Sequence, residues 1–326
     1  MKQAKIIGTG SYLPKRVLTN ADLEKIVDTT DEWIVSRTGM RERRIADAQE
    51  FTSDMGLAAA KKAIEKARID AKDIDLILVA TLTPDYAFPS TACIIQAALG
   101  IEAAAMDLQA ACTGYIYCLS VAKAYVESGL HKNILIVASE KLSSIVDYED
   151  RSTCVLFGDG ASACVVSSEG KGFVIRDVVL GSDGCQTEIL KMPAGGSRNP
   201  TTQETVAAKQ HFIKMEGREV FKHAVRRMES SSKECIEKAG LKEEDISWLV
   251  PHQANNRIID AIAKRFQVDN ERVFVTVDKY GNTSASSIGI ALDELLDEKT
   301  ITSGENILLT AFGAGLTWGS TVLTHE

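Results

Sequence analysis

The sequence predicts an α/β fold built from two similar halves. Apolar runs such as residues 74–80 (IDLILVA) and 134–138 (ILIVA) are typical of strands buried on both faces of a mainly parallel sheet. The segments between such runs carry apolar residues at spacings of three and four, which indicates amphipathic helices. The same succession of strands, corners and helices occurs twice, so we expect a duplicated unit with halves at residues 1–170 and 171–326.

Strands and helices alternate along both predicted halves. The first half contains predicted strands at residues 4–12, 74–80, 101–108, 134–138 and 161–166, and helices at 22–26, 31–37, 52–67, 90–99 and 113–127. The second contains predicted helices at 216–239 and 254–266, a third ending near residue 296, and strands at 248–250, 272–277, 307–311 and the end of the chain. Ser53 and Asp54 are typical of a helix N-terminus at the start of the segment 52–67.

Corresponding segments make the repeat specific. The run at residues 74–80 corresponds to ISWLV at 246–250, and each is followed by a loop and a helix. Cys112 lies 34 residues after Leu78, and Asn282 lies 33 residues after Leu249. Each of these corners leads to a helix, an apolar strand and a Gly-x-Gly turn. We therefore expect Cys112 and Asn282 at equivalent corners that face each other across the interface between the halves.

Composition restricts the possible partners and the cellular compartment. A net charge of −8 and a pI near 5.3 argue against a nucleic-acid or membrane-surface partner. Gly8 and Gly10 interrupt the apolar start, so we expect no signal peptide, and no apolar run has the length of a membrane span. The seven cysteines are scattered and show neither a C-x-x-C pair nor zinc spacing. We expect a cytoplasmic protein without structural disulfides or a metal site.

Cys112 is the first candidate for chemistry. It lies between an apolar strand and an amphipathic helix, where free backbone N–H groups and the positive end of the helix dipole would favour a thiolate. We therefore expect the pKa of Cys112 to be lowered, as in a nucleophile. The alternative is a small buried hydrophobe, which most free cysteines are.

His252 and Asn282 are the other polar residues at predicted corners. Since sites in open α/β sheets gather at the carboxyl ends of strands, we expect them in one pocket with Cys112. A thiolate, an imidazole and an amide suit chemistry on a thioester or another acyl group. Taken singly, His252 could be structural and Asn282 a turn residue. A papain-like cysteine protease also has the order Cys, His, Asn, but its cysteine signature is absent here.

Five motifs in register carry a resemblance to a known family. DLQAACTGY, FGDGA, VPHQANNRII, KYGNTSASSIGIALDE and TAFGAGLTWGS resemble segments of β-ketoacyl-[acyl-carrier-protein] synthase III, a condensing enzyme of the thiolase superfamily. The resemblance implies a thiolase-like fold with five layers in the order αβαβα. A degradative thiolase would need a second cysteine near residues 311–320, and elongating synthases use two histidines. Polyketide synthases of the plant type share Cys, His and Asn and stay open as an alternative.

The resemblance implies a two-step reaction with a coenzyme A thioester as substrate and no cofactor. Cys112 would take an acyl group, usually acetyl, while the backbone N–H groups of Cys112 and Gly315 hold the oxyanion. His252 and Asn282 would donate hydrogen bonds to malonyl-acyl carrier protein during its decarboxylation. The product would be a 3-oxoacyl-acyl carrier protein, which starts fatty acid synthesis.

The resemblance also implies binding positions and a homodimer. Coenzyme A would contact Trp33 at its adenine, Arg37 and Arg151 at the same end, and Gly217, Phe221 and Asn255 along the pantetheine arm. Phe88 would reach across the dimer to close the acyl pocket. An acidic carrier protein needs a local basic patch, for which the candidates are Lys222, Arg257, Arg218, Lys264 and Arg265.

Overall fold

Nine strands form one mixed sheet in the computed structural model, which describes residues 2–326. The strands of the chain are β1 (Lys5–Tyr12), β2 (Arg16–Thr19), β3 (Glu42–Ile45), β4 (Leu76–Ala80), β5 (Ala104–Leu108), β6 (Asn133–Glu140), β7 (Gly160–Ser167), β8 (Phe173–Ser182), β9 (Leu190–Lys191), β10 (Lys214–Met215), β11 (Ile246–Pro251), β12 (Asn306–Gly313) and β13 (Thr317–His325). The helices are α1 (Asn20–Leu23), α2 (Asp31–Thr38), α3 (Thr52–Ala67), α4 (Thr91–Leu99), α5 (Gly114–Ser128), α6 (Arg151–Cys154), α7 (Gln203–Ala207), α8 (Gly217–Lys238), α9 (Asn256–Arg265), α10 (Val277–Tyr280) and α11 (Ser286–Glu298).

The strand order repeats the same arrangement twice. The large sheet has the order β11-β12-β13-β8-β1-β7-β6-β4-β5, in which β4 is parallel to β6, and β7 is antiparallel to both β6 and β1. Correspondingly, β11 is parallel to β12, and β13 is antiparallel to both β12 and β8. We propose that residues 1–170 and 171–326 are two copies of one unit, since the boundary falls between β7 and β8.

Each half of the large sheet forms one β layer. One layer of helices lies between the two halves and one covers each outer face, which gives five layers in all. α3 packs on β1, β6 and β7, whereas α8 packs on β8, β12 and β13 with α9 beside it. α5 and α11 lie between the halves, because each contacts strands of both. The buried residues accordingly form one central cluster around α5 and α11 and one under each outer helical layer. The predicted α/β class with αβαβα layers is confirmed.

Two predicted strands differ from the structure. β5 begins at Ala104 rather than residue 101 and is an edge strand, so Met106 is 39% exposed instead of buried. The predicted strand at 272–277 is wrong, because only Val273 bridges to β11. The backbone N–H groups of Thr276 and Val277 donate to the side chain of Gln253 instead of to a neighbouring strand. Among residues 2–326, no helix combines the length and the apolar character that crossing a membrane requires.

Candidate active site

A single cavity of about 1190 Å³ collects the three residues that the sequence predicted to act together. Cys112 lies in a turn between β5 and α5, His252 directly follows β11, and Asn282 lies between α10 and α11. All three line the cavity and are nearly buried, with exposed fractions of 9%, 3% and 7%. Side chains that are far apart in the sequence therefore converge at one end of the sheet.

The backbone around Cys112 is tightly packed. The Cys112 thiol lies 3.5 Å from the Ser284 hydroxyl, which comes from the corner of the other half. At the end of β12, a Cβ added to Gly313 would lie 2.8 Å from the backbone nitrogen of Cys112, so only glycine allows this approach. Gly315 also lines the cavity, and its φ of 133° is one that L side chains rarely adopt.

The predicted lowering of the Cys112 pKa is wrong. Burial raises the pKa of this thiol to about 12, and the Glu140 carboxyl adds to the rise. Hydrogen bonds with the Ser284 hydroxyl and the backbone of Cys112 lower this pKa, but by less than the loss of water raises it. The free enzyme therefore holds a protonated thiol at neutral pH, because desolvation outweighs the position before the helix.

His252 is held as a neutral imidazole. Burial lowers its pKa to about 3, so it does not carry a charge at neutral pH. Its Nδ1 lies 2.6 Å from the hydroxyl oxygen of Ser287, which itself accepts from the backbone N–H of Gln253 at 3.4 Å. The Ser287 hydroxyl can donate its proton to Nδ1 of His252, and the ring proton then lies on Nε2. In this tautomer His252 is a hydrogen-bond donor.

Asn282 is anchored through its backbone and one side-chain atom. Its N–H donates to the carbonyl of Leu156 at 2.8 Å, and its carbonyl accepts from the N–H of Gly158 at 3.1 Å. Its Oδ1 accepts from the N–H of Ser284 at 2.8 Å. Because Oδ1 is already engaged, the Nδ2 group is the part of Asn282 that can serve a substrate as a donor.

Trp33 and two arginines form an aromatic and cationic entrance. Thr30 caps α2 by accepting from the N–H of Trp33, which fixes the start of that helix. The guanidinium carbons of Arg37 and Arg151 lie 6.0 Å and 4.9 Å from the centre of the Trp33 ring. Asn255 links this entrance to α9, since its side chain donates to the carbonyl of Arg37 and accepts from the N–H of Arg257.

The remaining predicted positions divide into those that line the cavity and those that do not. The lining includes Trp33, Arg37, Gly217, Arg218, Phe221, Lys222, Asn255, Arg257 and Gly315, whereas Phe88, Arg151, Lys264 and Arg265 lie outside it. Arg265 is paired with Glu229 at 2.7 Å, and Phe88 is 85% exposed. Their roles stay predictions.

Four residues near the reacting groups were not predicted: Glu140, Ser284, Ser287 and Gly313. The two serines belong to the quoted motif around Asn282, and their hydroxyl groups were a usable signal there. Glu140 gave no signal, because its proximity to Cys112 depends on the pairing of β6 with β4.

Comparisons with known proteins agree with this geometry. A family model described as 3-oxoacyl-[acyl-carrier-protein (ACP)] synthase III matches residues 106–184, and the model of the C-terminal part of that family matches residues 236–325. The β-ketoacyl-[acyl-carrier-protein] synthase III of Chlamydia muridarum is 63% identical over 323 residues, which cover 98% of this chain and 99% of that protein. That of Caldanaerobacter subterraneus subsp. tengcongensis is 54% identical over 321 residues, or 98% and 97% of the two chains.

A solved structure shows the same fold. The crystal structure of 3-oxoacyl-[acyl-carrier-protein] synthase III from Aquifex aeolicus VF5 matches with a TM-score of 0.91 at 49% identity, over 99% of this chain and 100% of that one. These matches support the synthase III prediction over the polyketide synthase and protease alternatives. The chain belongs to the β-ketoacyl-[acyl-carrier-protein] synthase III family and is a condensing acyltransferase.

Proposed function

We propose that this enzyme condenses an acyl group from acyl-coenzyme A, most simply acetyl, with malonyl-acyl carrier protein. The product is a 3-oxoacyl-acyl carrier protein, the first intermediate of fatty acid synthesis. The observation that carries the proposal is the convergence of Cys112, His252 and Asn282 in one cavity. The names of the relatives support the carrier-protein substrate.

In the first half-reaction, the sulfur of Cys112 attacks the thioester carbonyl of acyl-coenzyme A. A new carbon–sulfur bond forms, the bond to the coenzyme A sulfur breaks, and coenzyme A leaves as its thiol after taking a proton. The backbone N–H groups of Cys112 and Gly315 stabilise the oxyanion formed during attack. Gly313 supports this arrangement by letting the end of β12 approach Cys112.

In the second half-reaction, malonyl-acyl carrier protein occupies the space that coenzyme A has left. Nε2–H of His252 and Nδ2–H of Asn282 donate to its thioester carbonyl, on which negative charge develops as carbon dioxide leaves. The resulting enolate carbon attacks the acyl group on Cys112, and the carbon–sulfur bond to Cys112 breaks. A neutral imidazole suits this role, because its Nε2–H can donate a hydrogen bond to the thioester carbonyl while the ring stays uncharged.

The cavity entrance fits the nucleotide end of coenzyme A. The adenine stacks on Trp33, and Arg37 and Arg151, whose guanidinium groups lie near that ring, attract the phosphates of coenzyme A. Gly217, Phe221 and Asn255 line the path that the pantetheine arm then follows toward Cys112. Because the thioester ends an extended arm, a cavity that joins Trp33 and Arg37 to Cys112 suits this substrate.

The exposed surface around β5 supports a homodimer. Among the described residues, β5 pairs with β4 on one side only and leaves its other edge free, and exposed hydrophobic side chains at Tyr86 and Phe88 precede the neighbouring helix α4. A second copy pairing along β5 would cover this edge and bring Phe88 toward the partner's acyl pocket. Sedimentation should give about twice the chain mass of 35.3 kDa, and a monomer would contradict the pairing. We further propose a cytoplasmic location, since the nucleophile must remain a reduced thiol.

Intact-mass spectrometry tests the proposed function directly. We expect incubation with acetyl-coenzyme A to add one acetyl group to Cys112, and subsequent malonyl-acyl carrier protein to remove it as 3-oxoacyl-acyl carrier protein. Cys112→Ala should gain no mass, while Cys93→Ala, which replaces an exposed cysteine, should behave as the parent enzyme. Failure of every acyl-coenzyme A in a panel of straight and branched primers to modify Cys112 would refute the proposal.

A further inference from the structure

Glu140 is a buried acid that the reaction described above does not use. It ends β6 and is fully buried. Its Oε2 accepts four hydrogen bonds, from the hydroxyl groups of Thr81 and Thr83 and from the backbone N–H groups of Leu82 and Thr83. Its Oε1 has no partner within residues 2–326. A buried carboxyl oxygen without a partner is costly, so this atom calls for a functional explanation.

Ser284 lies between Glu140 and the reacting sulfur. Its hydroxyl is 3.5 Å from Sγ of Cys112. The same hydroxyl is a neighbour of Glu140 that lowers the pKa of that carboxyl, although the two groups do not form a hydrogen bond in this structure. The charge of Glu140 in turn raises the pKa of Cys112, so the carboxyl and the thiol are also close enough to interact. Ser284 is held in place by its N–H bond to Asn282, with a φ of 51°. A thiol, a hydroxyl and a carboxyl are thus arranged in series.

The pKa values of Glu140 and His252 favour Glu140 as the acceptor of the Cys112 proton. Burial raises the pKa of Glu140 to about 7, so a large fraction of it is ionised at neutral pH. His252, the alternative base, has a pKa lowered to about 3, and its Nδ1 is engaged by Ser287. Glu140 is therefore the stronger base of the two.

We propose that Glu140 stores the thiol proton of Cys112 between the two half-reactions, with the Ser284 hydroxyl as the relay. As the sulfur attacks acyl-coenzyme A, its proton passes to Ser284 while the Ser284 proton passes to Glu140. The departing coenzyme A thiolate takes a proton from solvent. When condensation releases Cys112 as a thiolate, Glu140 returns its proton by the same path, so the enzyme ends each cycle unchanged.

This inference rests on the proposed function only in taking Cys112 as the acylated group. Because proton transfer accompanies formation of the carbon–sulfur bond, a thiolate need not accumulate in the free enzyme. That reconciles a raised thiol pKa with a nucleophilic role. Ser284 touches the reacting sulfur, whereas Glu140 acts through Ser284.

Glu140→Gln removes the ability to hold the proton while keeping the hydrogen bonds that Glu140 makes. The amide oxygen of glutamine can replace Oε2 and keep its four hydrogen bonds, while an NH2 group in place of Oε1 cannot accept the proton. Single-turnover acylation of Cys112 by acetyl-coenzyme A, followed by quenching and peptide mass mapping, measures the affected step from pH 6 to pH 10. Ser284→Ala interrupts the relay. Thr81→Val is the matched control: it removes the hydrogen bond from the Thr81 hydroxyl to Oε2 and the one that this hydroxyl accepts from the N–H of Thr83, but it leaves Oε1 and Ser284 in place.

We expect the parent rate to rise with pH through an inflection near the pKa of Glu140, at about 7. Glu140→Gln and Ser284→Ala should lose that inflection, and their acylation should be roughly 100-fold slower than that of the parent enzyme at pH 7. The difference in rate should be smaller at pH 10, because hydroxide in solution can then remove the thiol proton in place of the relay. The double variant should be no slower than either single one. Thr81→Val should keep the inflection even if its melting temperature falls.

Three results would overturn the relay. They are an unchanged inflection in Glu140→Gln, an equal loss of rate at every pH, or multiplied losses in the double variant. A parent enzyme that is never acylated at Cys112 would instead refute the proposed function, so the two failures are distinguishable.

Discussion

At the scale of single residues, His252 and Asn282 should matter most in the second half-reaction. We expect His252→Ala and Asn282→Ala still to acylate Cys112 but to decarboxylate malonyl-acyl carrier protein at least about 100-fold more slowly, since each loses a donor to the developing charge. Acylation in Asn282→Ala should be the slower of the two, because Asn282 also holds Ser284 in place. Release of labelled carbon dioxide measures the second step and intact mass the first. Decarboxylation at the parent rate in both variants would remove this assignment.

Gly313 tests how closely β12 must approach the nucleophile. In Gly313→Ala the new Cβ would lie 2.8 Å from the backbone nitrogen of Cys112, so the backbone has to shift. We expect loss of most acylation activity and a stability cost of about 1–3 kcal/mol, measured by single-turnover kinetics and denaturant unfolding. Gly184→Ala is the matched control, because nothing lies within 4 Å of its added Cβ. Full acylation in Gly313→Ala would show that the corner tolerates the shift.

The residue scale also shows what local sequence reasoning missed. The position of Cys112 between a strand and a helix was predicted, but its pKa was not, because burial dominates and burial depends on distant segments. Ser287 and Ser284 stand in the same motif as Asn282, yet their contacts could not be predicted from it. The contact of Ser284 with Cys112 follows from the packing of the two halves, and that of Ser287 with His252 follows from the packing of α11 near the end of β11.

At the scale of elements, α8 and α9 carry the basic side chains that we propose as the docking face for the acyl carrier protein. Lys222 and Arg257 both line the cavity mouth, although Lys222 is partly neutralised by Glu219 at 2.7 Å. We expect Lys222→Glu with Arg257→Glu to lower kcat/KM for malonyl-acyl carrier protein about 10-fold or more and to weaken its salt dependence. Lys61→Glu, on the outer helix α3, is the matched control for charge. Unchanged turnover at low salt would make the docking assignment wrong.

The elements themselves were largely predictable. α3 and α5 follow apolar spacings that a 3.6-residue period produces, and Tyr115, Leu119, Ala122 and Val126 are buried as expected. The segment 272–277 has strand-like composition, but the side chain of Gln253 accepts the N–H groups of Thr276 and Val277. A contact between distant segments therefore replaced the sheet pairing that composition favoured.

At the scale of the whole molecule, buried thiols should make stability fall at high pH. Burial raises the pKa of Cys112, Cys164 and Cys235 to about 12, from an ordinary value of 9.0. As pH rises, these thiols ionise in the unfolded chain before they ionise in the folded protein. Their contribution to the free energy of unfolding is therefore fully present below pH 9 and is lost as pH rises toward 12. We expect the thermal midpoint in reducing buffer to fall by at least about 5 °C between pH 7.5 and pH 10.5.

A variant isolates the contribution of one thiol. Cys164→Ala removes one of the three groups, so its midpoint should depend less steeply on pH than that of the parent enzyme. An equal slope in both proteins would show that other groups cause the alkaline loss.

The amino-acid sequence by itself determined the α/β class, the duplicated unit and the three polar corner residues. It could do so because hydrophobic periodicity, the internal repeat and the order of motifs are local properties of the chain. Only the tertiary structure decided the protonation of Cys112, the hydrogen bond between His252 and Ser287, and the proximity of Glu140 to the nucleophile. These depend on exclusion of water and on contacts between segments that lie far apart along the chain, which only the packing of the folded protein brings together.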